Sequence, residues 1–370
     1  MFGNFFSFMT ALAVTATVAA PCDARPRTRD EGLRTMYGQL VIKGFFGQTP
    51  IDKQVKATRH ALENGVIGGV IFYDKNVRNP KQVANLTRYL LTSKTPYTPL
   101  IAVDQEGGAV QRLNRRKGFT YVPGHFRMQE RNTVDQARAR YDAMTKELAQ
   151  AGFNTNLGPV VDLNLNPNNP IIARARRSFG EHPLYVARYA ESFIAAHKAK
   201  GIGTAVKHWP GHGSSNKDTH LQFVDVTSHW KAVEIEPYRR LFTKGYSGMV
   251  MISHLYHRDW GGGKDLPASL SPIAIKTMLR DDLGFDGVVI TDDLQMRGIS
   301  TRFKLDEAII MALAAGNDIA LIGNVLASTP ENADFAVRAI ERGVREGRLT
   351  FKDLYRSWQR VTQYKAGLHK

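Results

Sequence analysis

The feature that most constrains the fold of this chain is a regular alternation of short apolar runs with stretches of helical spacing. The apolar runs lie at residues 40–45, 69–73, 100–103, 156–163, 203–207, 249–253, 288–291 and 319–322. Helical stretches between them include residues 53–63, 134–149, 184–200, 230–243 and 305–314, and residues 331–346 and 351–367 are typical of closing helices. Near-continuous apolar strands indicate a parallel sheet covered on both faces. The pattern therefore predicts an α/β fold, a (β/α)8 barrel of TIM type, with its active site at the C-terminal ends of the strands.

A doubly wound sheet is the main alternative to the barrel. It predicts a phosphate-binding glycine turn after the first strand, and Gly44-Phe45-Phe46-Gly47 matches such a turn poorly. No Gly/Ser/Pro-rich linker divides the sequence. We therefore expect a single barrel domain over residues 25–370, preceded by a leader over residues 1–24.

The leader resembles a secretory signal peptide. Residues 5–20 are apolar and small and end in Val18-Ala19-Ala20, although no Lys or Arg precedes them. The run is short and rich in threonine, so no stable membrane span is expected. Export to the periplasm or the medium is the prediction. A misplaced start codon and a cytoplasmic protein are the alternative.

Composition excludes several classes of protein. A hydrophobic fraction of 43% with 23% charged residues indicates a folded globular chain. A single cysteine, Cys22, excludes a disulfide framework and a cysteine-based metal cluster. The net charge of +16 fits either a basic soluble surface or attraction to an anionic partner. No recognition helix, stacking platform or zinc module accompanies this charge, so nucleic acid is not an expected partner.

Polar side chains follow five of the predicted strands in succession. The strand ends carry Asp104, Asp162, Lys207-His208, Ser253-His254 and Asp292-Asp293. A buried strand seldom finishes on a charge unless that charge faces a solvated opening. Because the carboxyl ends of barrel strands meet on one face, the set predicts an active site there.

The loop over residues 207–220, KHWPGHGSSNKDTH, is the most informative segment. Asp218 and His220 are two residues apart, so the carboxylate can orient the imidazole and raise its basicity, which suits proton transfer near neutral pH. A metal site built from His208, His212, Asp218 and His220 is the competing interpretation. Its spacing is loose and no HExxH helix supports it. We expect neither a metal nor a cofactor.

Together, several stretches carry a family resemblance. They are VDQEGGAVQR at 103–112, NLGPVVD at 156–162, RSFG at 177–180, KHWPGHG at 207–213 with DTH at 218–220, and GFDGVVITDDLQM at 284–296. From residue 39 to residue 367 the chain resembles the barrel domain of glycoside hydrolase family 3, in its bacterial β-N-acetylglucosaminidase branch. The KH-x-PGHG element with its trailing D-x-H distinguishes this branch from the β-glucosidases of the family.

The resemblance implies a role for individual residues. Asp292 would be the nucleophile, His220 the acid/base and Asp218 its partner. The positions that would hold the terminal N-acetylglucosamine are Asp104, Arg112, Arg177, Lys207 and His208. A histidine would then replace the carboxylic acid that most retaining glycosidases use.

The expected function is that of a monomeric, retaining exo-β-N-acetylglucosaminidase. It would remove terminal sugar from peptidoglycan fragments (muropeptides) through a covalent glycosyl-aspartate, in cell-wall turnover or recycling. Three alternatives stay open: a β-N-acetylhexosaminidase acting on chitin-type oligosaccharides, a phosphorylase, and a catalytically silent sugar-binding barrel.

Overall fold

The computed structural model describes residues 29–325 and 334–368. The predicted leader over residues 1–24, with Cys22, lies outside the described residues, as does the first part of the helix predicted from residue 331. The assignment of residues 25–370 to a single domain stays a prediction.

Eight parallel strands form the central barrel. They are β1 (Val41–Gly44), β2 (Gly69–Phe72), β3 (Leu100–Val103), β4 (Thr155–Asn156), β5 (Gly203–Trp209), β6 (Met249–Ile252), β7 (Val288–Thr291) and β8 (Ala320–Ile322). Neighbours in the chain are neighbours in the sheet, and β8 pairs with β1. A parallel bridge between Ile290 and Ile319 joins β7 to the start of β8. This nearly closed barrel confirms the fold predicted from the apolar runs.

Helices surround the sheet. Between the strands lie Lys53–Glu63, Pro80–Leu91, His125–Arg131, Val134–Gln150, Pro183–Lys198, Glu236–Thr243, Ile273–Asp282, Arg297–Ser300 and Leu305–Ala315. Arg29–Gly38 precedes β1, and Phe335–Arg345 and Phe351–Ala366 follow β8. Local sequence sets several of the boundaries. The side chains of Asn79, Thr133 and Thr350 accept hydrogen bonds from backbone N–H groups in the first turns of the helices they precede.

The core lies inside the barrel and between the barrel and its helices. All four residues of β3 are buried, as are those of β2, β6 and β7. Strands covered on both faces need apolar side chains at every position, which explains the continuous runs. Within the described residues, no helix combines the length and the apolar character needed to cross a membrane.

Two segments differ from the prediction. The strand predicted over residues 156–163 is the short β4, because Pro159 has no N–H to donate to a ladder. The chain beyond it still follows β5, with the Val161 N–H donating to the Lys207 carbonyl at 2.8 Å. The helix predicted over residues 230–243 begins at Glu236, after a 3-10 turn over Ala232–Ile235, and Pro237 occupies its first turn.

Candidate active site

A cavity of about 490 Å³ opens where the barrel strands end. Seven of the eight predicted site residues line it: Asp104, Arg112, Arg177, Lys207, His208, His220 and Asp292. The eighth, Asp218, lies behind His220 and is hydrogen bonded to it. The strand ends therefore bring together residues that are up to 188 positions apart in the sequence.

A buried ion cluster forms one side of the cavity. The Lys207 ammonium lies 2.8 Å from Asp104 and 2.7 Å from Glu106. Arg177 donates from Nε and Nη2 to the two oxygens of Glu106, both at 2.8 Å. Arg112 approaches Asp104 at 3.7 Å. We call Asp104, Glu106, Arg112, Arg177 and Lys207 the ionic wall.

Mutual pairing keeps the buried members of the wall charged. Burial raises the pKa of Glu106, but Arg177 and Lys207 outweigh it and hold that pKa well below its ordinary value. Burial lowers the pKa of Lys207, but Asp104 and Glu106 raise it overall. Fixed charges with defined positions suit the recognition of sugar hydroxyls, which both donate and accept hydrogen bonds.

Sequence reasoning did not assign Glu106 a place in the sugar site. A signal was nevertheless present, because Glu106 is two residues beyond Asp104 and side chains two apart on an extended segment share a face. The carboxylate is 1% exposed and joins Arg177 to Lys207, so it organises the two cations that the sequence did identify.

His208 is oriented by a second buried carboxylate. Asp162 accepts from His208 Nδ1 at 2.7 Å, from the His208 backbone N–H at 3.1 Å and from the His212 backbone N–H at 2.8 Å. Nδ1 therefore carries the proton, and Nε2 lies 3.4 Å from Arg177 Nη2. Asp162 fixes the ring that lines the cavity, and does not itself line it.

Asp292 directly follows β7 and is an ionised carboxylate. Its backbone N–H donates to the Ile252 carbonyl at 2.9 Å, and its Oδ1 accepts from the Asp293 N–H at 2.8 Å. Burial raises the pKa of Asp292, but the neighbouring His254, His208 and His220 lower it to about 2. A carboxylate that stays ionised at neutral pH and faces a cavity is suited to nucleophilic attack.

Asp293, the next residue, has the opposite environment. Its Oδ1 accepts from the backbone N–H groups of Gly323 at 2.8 Å and Gln295 at 3.0 Å, which ties the end of β7 to the end of β8. Burial raises the pKa of Asp293 to about 6, and the charge of Asp292 adds to that rise. Adjacent carboxyls with separated pKa values are suited to different roles, and Asp292 is the one that stays ionised at lower pH.

Asp218 and His220 form the dyad that the sequence predicts. Asp218 Oδ1 accepts from His220 Nδ1 at 2.8 Å and from the His220 backbone N–H at 2.8 Å. Desolvation lowers the pKa of His220, but the hydrogen bond to Asp218 and the charge of Asp292 raise it overall. With Nδ1 occupied, Nε2 is the nitrogen available for proton transfer.

The end of β2 adds cavity residues that sequence reasoning missed. Tyr73, Asp74 and Lys75 line the cavity directly after this strand. Burial and the charges of Asp293 and Asp104 raise the pKa of Tyr73 well above its ordinary value, so its hydroxyl stays protonated. The signal available was the position of these residues at the end of a predicted strand.

The competing metal site is not assembled in this arrangement. His212 points toward Thr219, with 3.4 Å between Nε2 and Oγ1, while His208 and His220 are paired with different carboxylates. In the part of the chain that the structure describes, no group of three or more His, Cys, Asp or Glu side chains is placed to hold a metal ion.

Comparison with known proteins adds to this geometry. The model of the glycosyl hydrolase family 3 N terminal domain matches residues 32–364. The β-hexosaminidase A of Pseudoalteromonas piscicida is 34% identical over 277 residues, which are 69% of this chain and 46% of that protein. The β-hexosaminidase of Photobacterium profundum is 32% identical over 76% of this chain and 80% of its own length.

Solved structures of glycoside hydrolases are also similar to this chain. A glycoside hydrolase family 3 β-N-acetylglucosaminidase from Paenibacillus sp. str. FPU-7 superposes with a TM-score of 0.81 at 32% identity, over 90% of this chain and 63% of that one. The β-N-acetylhexosaminidase from Beutenbergia cavernae DSM 12333 gives 0.80 at 27% identity, over 90% and 98%. The chain thus spans about half the length of the Pseudoalteromonas relative and nearly all of the Beutenbergia structure.

Proposed function

Because the chain belongs to glycosyl hydrolase family 3, we propose that it is a retaining exo-β-N-acetylglucosaminidase. It would release terminal β-linked N-acetylglucosamine from peptidoglycan fragments through a covalent intermediate on Asp292. The names of the similar proteins, β-hexosaminidase and β-N-acetylglucosaminidase, support the activity. The finer assignment of step and substrate rests on the residues of the cavity.

One observation carries the proposal. An ionised carboxylate, Asp292, and a histidine whose pKa is raised, His220, line the same cavity. The first is equipped to attack an anomeric carbon and the second to donate a proton. Retaining hydrolysis needs this combination of nucleophile and acid/base.

The reaction follows in two steps. Asp292 attacks the anomeric carbon while the bond from that carbon to the leaving oxygen breaks, and His220 Nε2–H gives its proton to this oxygen. Neutral His220 then takes a proton from water, whose oxygen attacks the same carbon and releases Asp292. The histidine is protonated again at the end, so the cycle closes.

Exposed cations on two loops that also carry cavity residues support an anionic leaving group. Arg115 and Arg116 lie on the loop after β3, and Arg174 and Arg176 lie on the loop after β4; all four are exposed. The helix that follows the first loop touches the second loop, because the Phe126 N–H donates to the Arg176 carbonyl at 3.3 Å. Peptide-bearing wall fragments carry carboxylates that this surface would attract, whereas chitin oligosaccharides are neutral.

Trapping the intermediate tests the mechanism. A 5-fluoro N-acetylglucosaminyl fluoride should inactivate the enzyme and leave a sugar adduct on the peptide that contains Asp292, as read by mass spectrometry. An adduct on Asp293, or turnover without any adduct, would contradict the assignment. No turnover of any chromogenic N-acetylglucosaminide would favour the silent sugar-binding barrel.

Comparing muropeptides with chitobiose tests the proposed class of substrate. Muropeptides and chitobiose should both release N-acetylglucosamine, with the larger kcat/KM for muropeptides and with that advantage reduced by added salt. Equal values for the two would remove the argument from charge. Release of the sugar 1-phosphate in phosphate buffer would identify a phosphorylase.

A further inference from the structure

The segment that carries the acid/base dyad raises a question of positioning. The His220 side chain is 46% exposed, so burial in the core does not fix its place. We call residues 210–222 the dyad loop. Near its C-terminal end it is held by the Gly298 N–H, which donates to the Thr219 carbonyl at 2.9 Å, and by the Arg297 N–H at 3.4 Å from the His220 carbonyl.

The start of the dyad loop is held by a carboxylate outside the cavity. Glu234 lies in the turn before the helix Glu236–Thr243 and is fully buried. Its Oε2 accepts from the Gly213 N–H at 2.7 Å, and its Oε1 accepts from the Ser214 N–H at 3.3 Å and from the Ser214 hydroxyl. Three donors of the loop thus converge on one side chain.

The loop backbone approaches this carboxylate so closely that only glycine fits. A Cβ at Gly211 would lie 2.4 Å from Glu234 Cβ, and this residue also has a φ of 119°. A Cβ at Gly213 would lie 3.1 Å from Glu234 Oε2 and 1.7 Å from the Leu163 carbonyl oxygen. The glycines of the PGHG element are therefore explained by the approach of the loop to Glu234 and Leu163.

The carboxyl in turn depends on the loop. Burial raises the pKa of Glu234 to about 7, and the like charge of Asp162 adds to the rise, while the hydrogen bonds from Ser214 and Gly213 oppose it. A buried acceptor that loses its donors costs free energy, so the carboxyl and the loop stabilise each other.

We propose that Glu234 is a positioning residue for catalysis, which fixes the start of the dyad loop so that His220 Nε2 reaches the leaving oxygen. The proposal rests on the proposed function, because it assigns Glu234 a part in the step that His220 performs. It predicts that Glu234 acts through His220 and has no separate effect on sugar binding.

Glu234→Gln tests this with two substrates. The glutamine amide accepts hydrogen bonds through one oxygen and presents an NH₂ group where the carboxylate has its second oxygen. The start of the loop therefore loses part of its support while the side-chain volume is kept. We expect kcat/KM for chitobiose to fall about 10²-fold, because small displacements of a catalytic group have effects of that size. For a dinitrophenyl N-acetylglucosaminide, whose leaving group needs no proton, we expect a change below about threefold.

The double variant Glu234→Gln/His220→Ala separates positioning from general damage. If Glu234 acts through His220, the double variant loses no more on chitobiose than His220→Ala alone. Asp318→Asn is the matched control, because Asp318 is also a fully buried carboxylate, paired with Arg280 at 2.7 Å before β8 and remote from the dyad loop. It should lower the unfolding temperature and leave kcat/KM for both substrates unchanged.

A milder variant covers the case in which Glu234→Gln does not fold. Ser214→Ala keeps the carboxylate and removes one of its donors, so the same selective loss on chitobiose should appear, at about tenfold. Equal losses on the two substrates, or losses that multiply in the double variant, would overturn the positioning role. If His220→Ala itself shows no dependence on the leaving group, the proposed acid/base is wrong.

Discussion

The two sides of the cavity are built in different ways. In the ionic wall, Lys207 and Glu106 are 3% and 1% exposed, and each of these two is held by two charged partners. His220, which lines the same cavity, is 46% exposed, and its ring is hydrogen bonded to Asp218. The buried members of the wall are held by mutual ion pairs, whereas the dyad lies on a loop.

This difference matches two different tasks. The hydroxyls of a terminal sugar have fixed positions, so the groups that bind them gain from being pre-organised by buried ion pairs. The acid/base must meet a leaving group of variable size and later a water molecule, and both approach from solvent. An exposed histidine on a loop permits that exchange. The difference therefore suggests that changes in the wall affect binding and stability, while changes in the loop affect proton transfer.

Asp292 lines the same cavity as the wall and His220, and its loss should have the largest effect. Asp292→Asn removes the charge of the proposed nucleophile while keeping the shape of the strand end, so kcat should fall by on the order of 10⁴ to 10⁶. Steady-state rates on a nitrophenyl N-acetylglucosaminide measure this. Asp293→Asn is the control and should lose far less, because its carboxyl supports backbone N–H groups. Comparable losses in both variants would remove the distinction between the two aspartates.

Glu106→Gln should disrupt the ion pairs of the ionic wall. The change leaves Arg177 without its bidentate partner and Lys207 with Asp104 alone, so the free energy of unfolding should drop by about 3 kcal/mol. KM should rise, because the two cations proposed to bind the sugar, Arg177 and Lys207, lose their fixed positions. Denaturant unfolding and steady-state kinetics measure the two effects.

Asp318→Asn is the matched control for Glu106→Gln. Asp318 is fully buried and pairs with Arg280 at 2.7 Å and Arg360 at 3.2 Å, at the amino ends of the strands. It should cost similar stability and leave KM unchanged. A rise of KM in this variant too would show that KM follows general loosening of the barrel and not the ionic wall.

The barrel strands are the parts of the fold that the sequence predicts best. Strands such as Leu100–Val103 and Val288–Thr291 have the predicted bounds, because continuous apolar runs leave a buried parallel strand as their simplest structure. The segment after β4 was predicted as strand and is irregular, since Pro159 interrupts the ladder while the apolar pattern continues. Apolar patterns report burial, and do not distinguish a strand from an extended buried segment.

The candidate site residues also divide into those that the sequence predicts and those that it does not. Asp104, Lys207 and Asp292 could be found from their positions at strand ends, where charge is unexpected. Glu106 and Glu234 could not be assigned to partners, because their pairing depends on which loops the fold brings into contact. Tyr73 was hidden for a different reason, since an aromatic at the end of an apolar run is consistent with core packing.

The smallest expected effect distinguishes the dyad from a lone histidine. General-acid catalysis needs protonated His220, so kcat/KM should fall as pH rises through the pKa of this group in the free enzyme. Asp218 raises the pKa of His220 through a hydrogen bond and its charge, which places this basic limb above the ordinary histidine value of 6.5. Asp292, with a pKa of about 2, stays ionised throughout and contributes no limb in this range.

Asp218→Asn should therefore move the basic limb toward lower pH. The variant removes the group that stabilises the imidazolium, and it also lowers kcat/KM for chitobiose by about tenfold, because a less firmly held ring is less well aimed. A pH profile of kcat/KM on chitobiose measures both changes. Asp293, whose pKa is raised to about 6, and Glu234, whose pKa is raised to about 7, also titrate near this range. Asp293→Asn should leave the limb in place, because Asp218 and Asp292 are the carboxylates that raise the pKa of His220. A limb that shifts in Asp293→Asn and not in Asp218→Asn would show that the aspartate beside the nucleophile controls the pH dependence.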